Sequence, residues 1–557
     1  LPLRASQLRC HQLLHRTRTP SVTGRLTLTW ANKDRALLSH GESGYEWVDR
    51  DDPRAREVRL LDEVDRVGEV AGDASDNLLI RGDSLDALRA LVHTPELAAE
   101  YRGKVKLVYI DPPFNTGQAF EHYDDSLEHS VWLGMMRERL VLIKELLSPE
   151  GSVWVHLDDA EMAYCKVLMD EIFGRANYVA TIMWQKSHTR ENRTAISSGH
   201  EYLIVFAPLG SEWKTVRNVL PSSDEQLSRY TNPDDDPRGP WQSTPMHAKA
   251  EVGRRAEQFY TITTPSGRQV DPPPGRCWLY TRERYDELLA DGRISFAGGE
   301  GVPRVKKFLS EVQAGLVPNS FWLHSEVGTT GSGKAEIVAL ASDVTPFSTP
   351  KPERLIERVV HIGSNSGDVV LDCFAGSGTT AAVAHKMGRR WVTVELNEKT
   401  AETFTKTRLA KVVSGDDPGG ITESVGWSGG GGFRDLRVAP SAWEVHAVDG
   451  DLDVYRAESA STETLTRSVA AQLGYRLIDD PVFSGARGRS RLVVIDGVAD
   501  ATAVTDIAAA LAEGQTALVA ATSVTDDAQT TLRDLSKGSR VIRIPRDLFP
   551  RTGAVTR

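Results

Sequence analysis

Val105-Lys106-Leu107-Val108-Tyr109-Ile110-Asp111-Pro112-Pro113-Phe114 is the stretch on which the reading of this chain turns. Six mostly apolar residues form the signature of a short buried strand, and the strand ends in a carboxylate, two prolines and an aromatic ring. Prolines have no N–H and a fixed φ, so the carbonyls of Pro112 and Pro113 are held in place as acceptors. Asp111 and the Pro112 carbonyl together can accept both hydrogens of an exocyclic amino group on a flat base. That localises the nitrogen lone pair for attack on a methyl donor, while Phe114 stacks on the ring. Asp-Pro-Pro also makes an ordinary strand-ending turn, so the motif decides nothing alone.

A second stretch supplies the missing half. Residues 368–380 read Asp-Val-Val-Leu-Asp-Cys-Phe-Ala-Gly-Ser-Gly-Thr-Thr and run into a helical pattern from Ala381 to Met387. A buried strand, a glycine turn and a helix form the layout of a nucleotide-type cofactor site. Gly376 and Gly378 permit close backbone approach and φ values closed to other residues. The next strand, Arg390 to Glu395, ends in an acid about twenty residues beyond the glycines, where a ribose diol is expected. The Gly-x-Gly-x-x-Gly spacing that brings a helix N-terminus to a pyrophosphate is absent. A cofactor with a ribose and no phosphate fits better, which points to S-adenosylmethionine.

The order of these motifs resembles that of β-class amino-methyltransferases of DNA, in the style of type III restriction-modification Mod subunits. In that family an Asp-Pro-Pro-Tyr/Phe motif precedes a Phe-x-Gly-x-Gly motif, with a target-recognition region between them; here 260 positions separate Phe114 from Phe374. Further blocks resemble the family in the same order: Leu78 to Leu85, Gly151 to Asp159, His200 to Phe206, and Thr349-Pro350-Lys351-Pro352-Glu353. The match runs over roughly residues 20–440. It implies an S-adenosylmethionine-dependent, Rossmann-like α/β fold with a mostly parallel sheet and an inserted target-recognition region. It implies Asp111, Pro112, Pro113 and Phe114 as catalytic residues, and Phe374, Gly376 and Gly378 as shaping the cofactor pocket. Asp372 is expected near the methionine amino group, Glu395 on the ribose, Lys351 near the methionine carboxylate and Asp83 at the adenine; no metal is expected. The implied reaction is methylation of adenine at its exocyclic amino group in duplex DNA, after base flipping. The alternatives are an N4-cytosine methyltransferase of the same mechanism and a non-catalytic DNA-binding subunit. Double-stranded DNA is the implied partner, with a restriction subunit and a second copy of the chain as further ones, in a bacterial cytoplasm at the nucleoid.

Composition sets the outer bounds. With 557 residues the chain has room for two to four domains, and its 40% hydrophobic and 26% charged content is that of an ordinary globular protein. The net charge of −11 argues against a general polyanion binder. Local patches still set phosphate contacts, and the candidates are Lys186 to Arg193, Lys249 to Arg255 and Arg304 to Lys307. No run of eighteen apolar residues exists to span a membrane. The first thirty-three residues carry arginines and no acid, and read as a flexible basic arm; the leading Leu leaves the true start open. Cys10, Cys165, Cys277 and Cys373 are scattered without Cys-x-x-Cys pairing, the pattern of a reducing compartment.

Along the chain, residues 1–75 read as an N-terminal extension and 76–210 as the catalytic half of the methyltransferase domain. Within that half, 131–147 repeats apolar residues at helical spacing. Residues 211–345, rich in Pro, Gly and Trp, form the expected target-recognition region, and 346–425 the cofactor-binding half. Residues 426–440 read as a glycine-rich linker. Residues 441–557 show a second, smaller α/β rhythm suited to scaffolding, dimerisation or partner docking. Gly328 to Ala335 nearly spells a phosphate-binding loop, but Ala335 stands where magnesium needs a hydroxyl, so an ATP site is rejected. His156, His200 and His361 read as hydrogen-bonded structural residues.

Overall fold

In the computed structural model the three apolar runs lie side by side. The structure describes residues 26–549 save 42–43, 116–117, 121–122, 126, 191–194, 223–226, 251–254, 312–314, 341–346 and 449–450. The basic arm as far as residue 25, Cys10, the end of the first basic patch (191–193) and the middle of the second (251–254) therefore lie outside the described residues.

Ten strands share one sheet: β1 (Leu61–Gly68), β2 (Asn77–Arg81), β3 (Val105–Ile110), β4 (Leu147–Leu157), β5 (Tyr178–Gln185), β6 (His200–Phe206), β7 (Phe321–Trp322), β8 (Val369–Asp372), β9 (Arg390–Glu395) and β10 (Gly432–Val438). Their order across the sheet is β7-β5-β6-β4-β3-β8-β9-β2-β10-β1. From β4 to β10 every neighbouring pair is parallel. Only β6 and the edge strand β1 run against the rest. The sheet is thus mostly parallel, as the sequence implies. The chain leaves β3 for β4 on one side and β8 for β9 on the other, so a crevice opens between the carboxyl ends of β3 and β8.

Alternation along the strands assigns the two faces. Leu78, Ile80, Val105, Val108 and Ile110 join one apolar core with helices α1 (Ser84–His93) and α2 (His129–Leu146). Leu107 points the other way, against Gly363 at the end of a helix over Glu353–Gly363, where an added Cβ would stand 2.9 Å from the Leu107 side chain. An N-terminal hairpin (Ala36–Ser39 with Tyr45–Val48) packs its Trp47 on Gly134 of α2, where a Cβ would meet the indole at 2.4 Å.

Two expectations about boundaries need correction. Gly432–Val438 is no linker: it is β10, with Phe433 and Leu436 buried. The glycines serve the strand's entry, since a Cβ at Gly432 would lie 2.5 Å from the carbonyls of Val67 and Glu69. Likewise, the compact inserted unit spans 218–319, less than the expected 211–345. Trp213 is buried in the first unit, β7 extends the main sheet, and the helix over Thr330–Leu340 belongs with them.

The inserted unit has its own small core of Met246, Ile262, Val270, Trp278, Tyr285, Leu288 and Ile294, beside a three-stranded sheet of Trp241–Pro245, Arg304–Phe308 and Ile294–Ser295. The expected basic patch Arg304 to Lys307 is partly spent here. Lys306 is buried and paired with Asp234 and with Asp236 at 3.0 Å, and Arg304 is bonded to Ser243. The C-terminal segment forms a five-stranded sheet with Ser490–Ala499, Thr516–Val524 and Arg540–Arg543 parallel. It is continuous with the main unit through apolar contacts of Val58, Leu60, Ala439 and Ala471.

Under the cofactor-side half lies a buried ionic cluster. Lys386 reaches Glu353 at 2.8 Å and Asp417 at 2.6 Å, and Arg408 reaches Glu353 at 2.8 Å; none of the four side chains is more than 2% exposed. Removing one member strands charges in a low-dielectric interior. Lys386→Met is expected to destabilise the protein by about 3–5 kcal/mol, read as a lowered urea midpoint with unchanged slope.

Candidate active site

Four neighbouring parallel strands, β3, β8, β9 and β2, each carry an acid at or just beyond the carboxyl end: Asp111, Asp372, Glu395 and Asp83. They open into one cavity of about 1370 Å³. Asp83, Asp111, Pro112, Pro113, Phe114, Lys351, Asp372, Phe374, Gly376 and Glu395 all line it. Gly378 does not. It caps the helix over Thr379–Lys386 at φ 76°, in the left-handed region, with Thr405 pressed against it. Its role is to turn the chain, while Gly376 (φ 50°) faces the cavity against the Phe347 ring.

Two acceptors of the loop after β3 are engaged. Asp111 Oδ2 accepts from Lys351 Nζ at 2.7 Å, and the Pro113 carbonyl accepts from the Trp132 indole of α2 at 2.7 Å. Asp111 Oδ1 is buried and has no hydrogen-bond partner among the described residues. Pro112 lies beside it on the cavity wall. Phe114 stacks on His156, with ring centroids 6.1 Å apart and planes at 27°, and Lys351 Nζ lies 4.9 Å from the Phe114 centroid. Asn115 takes φ 60°, which its short polar side chain tolerates, and bonds Glu161 at 2.8 Å, fixing the loop's exit.

The glycine turn is held by the acids themselves. Glu395 accepts from Gly376 N at 2.8 Å and from Asn397 N at 3.0 Å, and Asp372 accepts from Phe374 N at 2.9 Å. Burial pushes both carboxyls up, Glu395 to about 7 and Asp372 to about 7, despite the backbone donors that oppose the shift. Asp83 caps α1 through Leu85 N at 2.7 Å and pairs with Arg139 at 2.7 Å, leaving its buried Oδ2 without a partner among the described residues. Lys351, expected beside the cofactor, sits on Asp111 in this structure and 3.7 Å from Glu201.

Several lining or supporting residues escaped the sequence reading. Arg139 is buried, 5.9 Å from the Phe374 ring centre, and its signal was a charge three places after Met136 on the apolar stripe of α2. Glu201, on β6, bears the only acid of a strand otherwise apolar or aromatic, which is the mark of a buried charge with a partner. Trp132 and Tyr45 gave none. The near-P-loop contributes Thr329, Thr330 and Gly331 to the cavity wall.

Residues 105–406 match the family model N6_N4_Mtase, described as DNA methylase. Among curated proteins, the Type III restriction-modification enzyme StyLTI Mod subunit of Salmonella typhimurium is 32% identical over 55% of this chain and 49% of its own length. The probable type III restriction-modification enzyme HindVI Mod subunit of Haemophilus influenzae is 28% identical over 67% of this chain and 56% of its own. The DNA adenine methyltransferase YhdJ of Escherichia coli is 21% identical over 60% of this chain and 86% of its own. The chain spans about half the length of the two Mod subunits. With the family model covering more than half of its residues, and its two motifs meeting in one cavity, the chain belongs to the N6/N4 DNA methylase family.

Proposed function

We propose that the chain transfers the methyl group of S-adenosylmethionine to the exocyclic amino group of adenine in duplex DNA. The observation that carries this reading is the Asp111 side chain on the cavity wall, with Oδ2 held by Lys351 and a buried Oδ1 that has no hydrogen-bond partner among the described residues, beside Pro112, whose carbonyl would accept the second hydrogen of an amino group. Bound S-adenosylmethionine supplies an electrophilic methyl group on a sulfonium. The residues opposite suit it: Asp372 for the methionine ammonium, Glu395 for the ribose hydroxyls and the open Asp83 Oδ2 for the adenine amino group. Each is an acceptor on the cavity wall, buried in Asp83 and Asp372 and half-buried in Glu395, that gains a donor.

The base enters the cavity flipped out of its duplex, because the amino nitrogen is out of reach within the stack. Phe114 stacks on its ring, and Asp111 and Pro112 hold the amino hydrogens so that the lone pair faces the methyl carbon. That lone pair forms the N–C bond, and the methyl–sulfur bond breaks with its electrons left on sulfur. One amino hydrogen then leaves past Asp111 as a proton to solvent. Positioning supplies much of the rate. Adenine is proposed over cytosine because one relative is named as an adenine enzyme. The relatives named as Mod subunits support a restriction subunit as a further partner.

Modification-aware sequencing of DNA from cells expressing the chain or its Asp111→Ala variant tests the reading. N6-methyladenine at one motif is expected only with the intact chain; N4-methylcytosine would overturn the base, and no mark would overturn the activity. Glu395→Ala is expected to weaken S-adenosylmethionine about tenfold or more by calorimetry, as lost charge-assisted hydrogen bonds do. The pH dependence follows from the raised carboxyls. Below about 7 the empty pocket holds Glu395 and Asp372 protonated, whereas the diol and the ammonium bind best to the ionised forms. Affinity for S-adenosylmethionine is therefore expected to fall as pH drops from 8 to 6, and Glu395→Gln is expected to flatten that dependence.

A further inference from the structure

The geometry points to Lys351 as a positioning residue for methyl transfer, acting through Asp111 and anchored from behind by Glu201 and His156. The inference rests on the methyl-transfer reading above and departs from a role at the cofactor's methionine end. Lys351 is buried, and its Nζ stands 2.7 Å from Asp111 Oδ2 and 3.7 Å from Glu201 Oε2. One ammonium thus bridges the carboxylate that receives the base and a second carboxylate of the cavity wall.

The backbone carrying Lys351 has little room to move. At Gly333 a Cβ would lie 2.5 Å from the Pro350 carbonyl and 2.9 Å from the Lys351 carbonyl carbon, so the segment is pressed onto the helix over Thr330–Leu340. Pro350 and Pro352 flank it, and Pro352 caps the next helix. Behind the ammonium, Glu201 Oε1 accepts from Lys186 at 3.0 Å, and Glu201 Oε2 lies 2.8 Å from His156 Nε2. The other ring nitrogen of His156 bonds the Tyr109 hydroxyl at 2.7 Å. Burial raises the Glu201 carboxyl, but the charge of Lys351, with His156 and Lys186, more than offsets it and holds Glu201 below the usual carboxylate range. Glu201 is therefore a permanent negative anchor for Lys351 at neutral pH.

The same imidazole is the surface on which Phe114 stacks. One chain of contacts, Tyr109–His156–Glu201–Lys351–Asp111, sets both the ring that stacks on the base and the oxygen that receives its amino group. With Oδ2 engaged by Lys351, the carboxylate cannot rotate freely, and Oδ1 is held as the oxygen without a hydrogen-bond partner among the described residues. A role at the methionine carboxylate would show in cofactor affinity; a role through Asp111 shows in turnover.

The test measures two quantities on the full chain: S-adenosylmethionine affinity by calorimetry, and transfer of a tritiated methyl group to unmethylated genomic DNA at saturating cofactor. Lys351→Met is expected to lower kcat about hundredfold, as a misplaced reacting group does, with cofactor Kd changed less than about threefold. Glu201→Gln, which keeps the volume and removes the anchor's charge, is expected to lower kcat about tenfold with Kd again unchanged. Lys351→Arg is expected to recover part of the loss in kcat. Weakened cofactor binding with normal kcat at saturation in Lys351→Met would overturn the inference, as would normal values of both. If Lys351→Met fails to fold, as a thermal melt reports, Glu201→Gln decides by the same split. A wild-type chain that binds the cofactor and transfers nothing overturns the methyl-transfer reading and this inference with it, whereas an active wild type with an equally active Lys351→Met overturns the inference alone.

Discussion

A carboxylate taken wholly or partly out of water must find a cation, take up a proton or wait for a ligand, and four such carboxylates end neighbouring strands in this protein. Each meets the demand differently. Asp111 leans on Lys351 and Asp83 on Arg139, both through one oxygen, and each keeps a second oxygen buried with no hydrogen-bond partner among the described residues. Asp372 and Glu395 have no cation paired to them among the described residues; burial makes them hold their protons until about 7. The cavity is therefore a row of acceptors in unequal states of satisfaction. A ligand that brings a diol, an ammonium and an amino group relieves them in turn, which is why the sheet's order and the chemistry cannot be separated.

The sheet makes this row possible because β3 and β8, 260 residues apart at their closing aromatic rings, become neighbours. Their separation in sequence is taken up by β4 to β7 on one flank and by the inserted unit, which carries its own core. The crevice between them receives the catalytic loop from one side and the glycine turn from the other.

Much of this was readable beforehand, for physical reasons. Fully buried parallel strands write themselves as apolar runs, and a polar residue that ends such a run must serve something, so Asp111, Asp372 and Glu395 were visible. Contacts made across the fold were not. Nothing near Lys351 in sequence indicates Asp111, 240 positions away, and Trp132's hold on the Pro113 carbonyl depends on how α2 lies over the sheet. Gly378 was read as pocket wall because glycines that turn a chain and glycines that admit a ligand look alike in sequence. The glycines before Phe433 misled in the same way: composition suggested a loose connector, whereas tight backbone approach to Val67 and Glu69 demands the missing side chains.

The position of β10 bears on how the chain is made. β1 and β2 are separated by only eight residues, yet in the sheet they never touch, because β10 lies between them. The strand that joins them is synthesised more than 350 residues later. Until then a ribosome-bound chain exposes the open edge of β2 and leaves β1 without its partner, and closing so long a loop is slow. The sheet is sealed late, by a piece that looks dispensable, and a shortened chain that stops before residue 432 would keep every residue of the cavity while losing the strand that closes its flank.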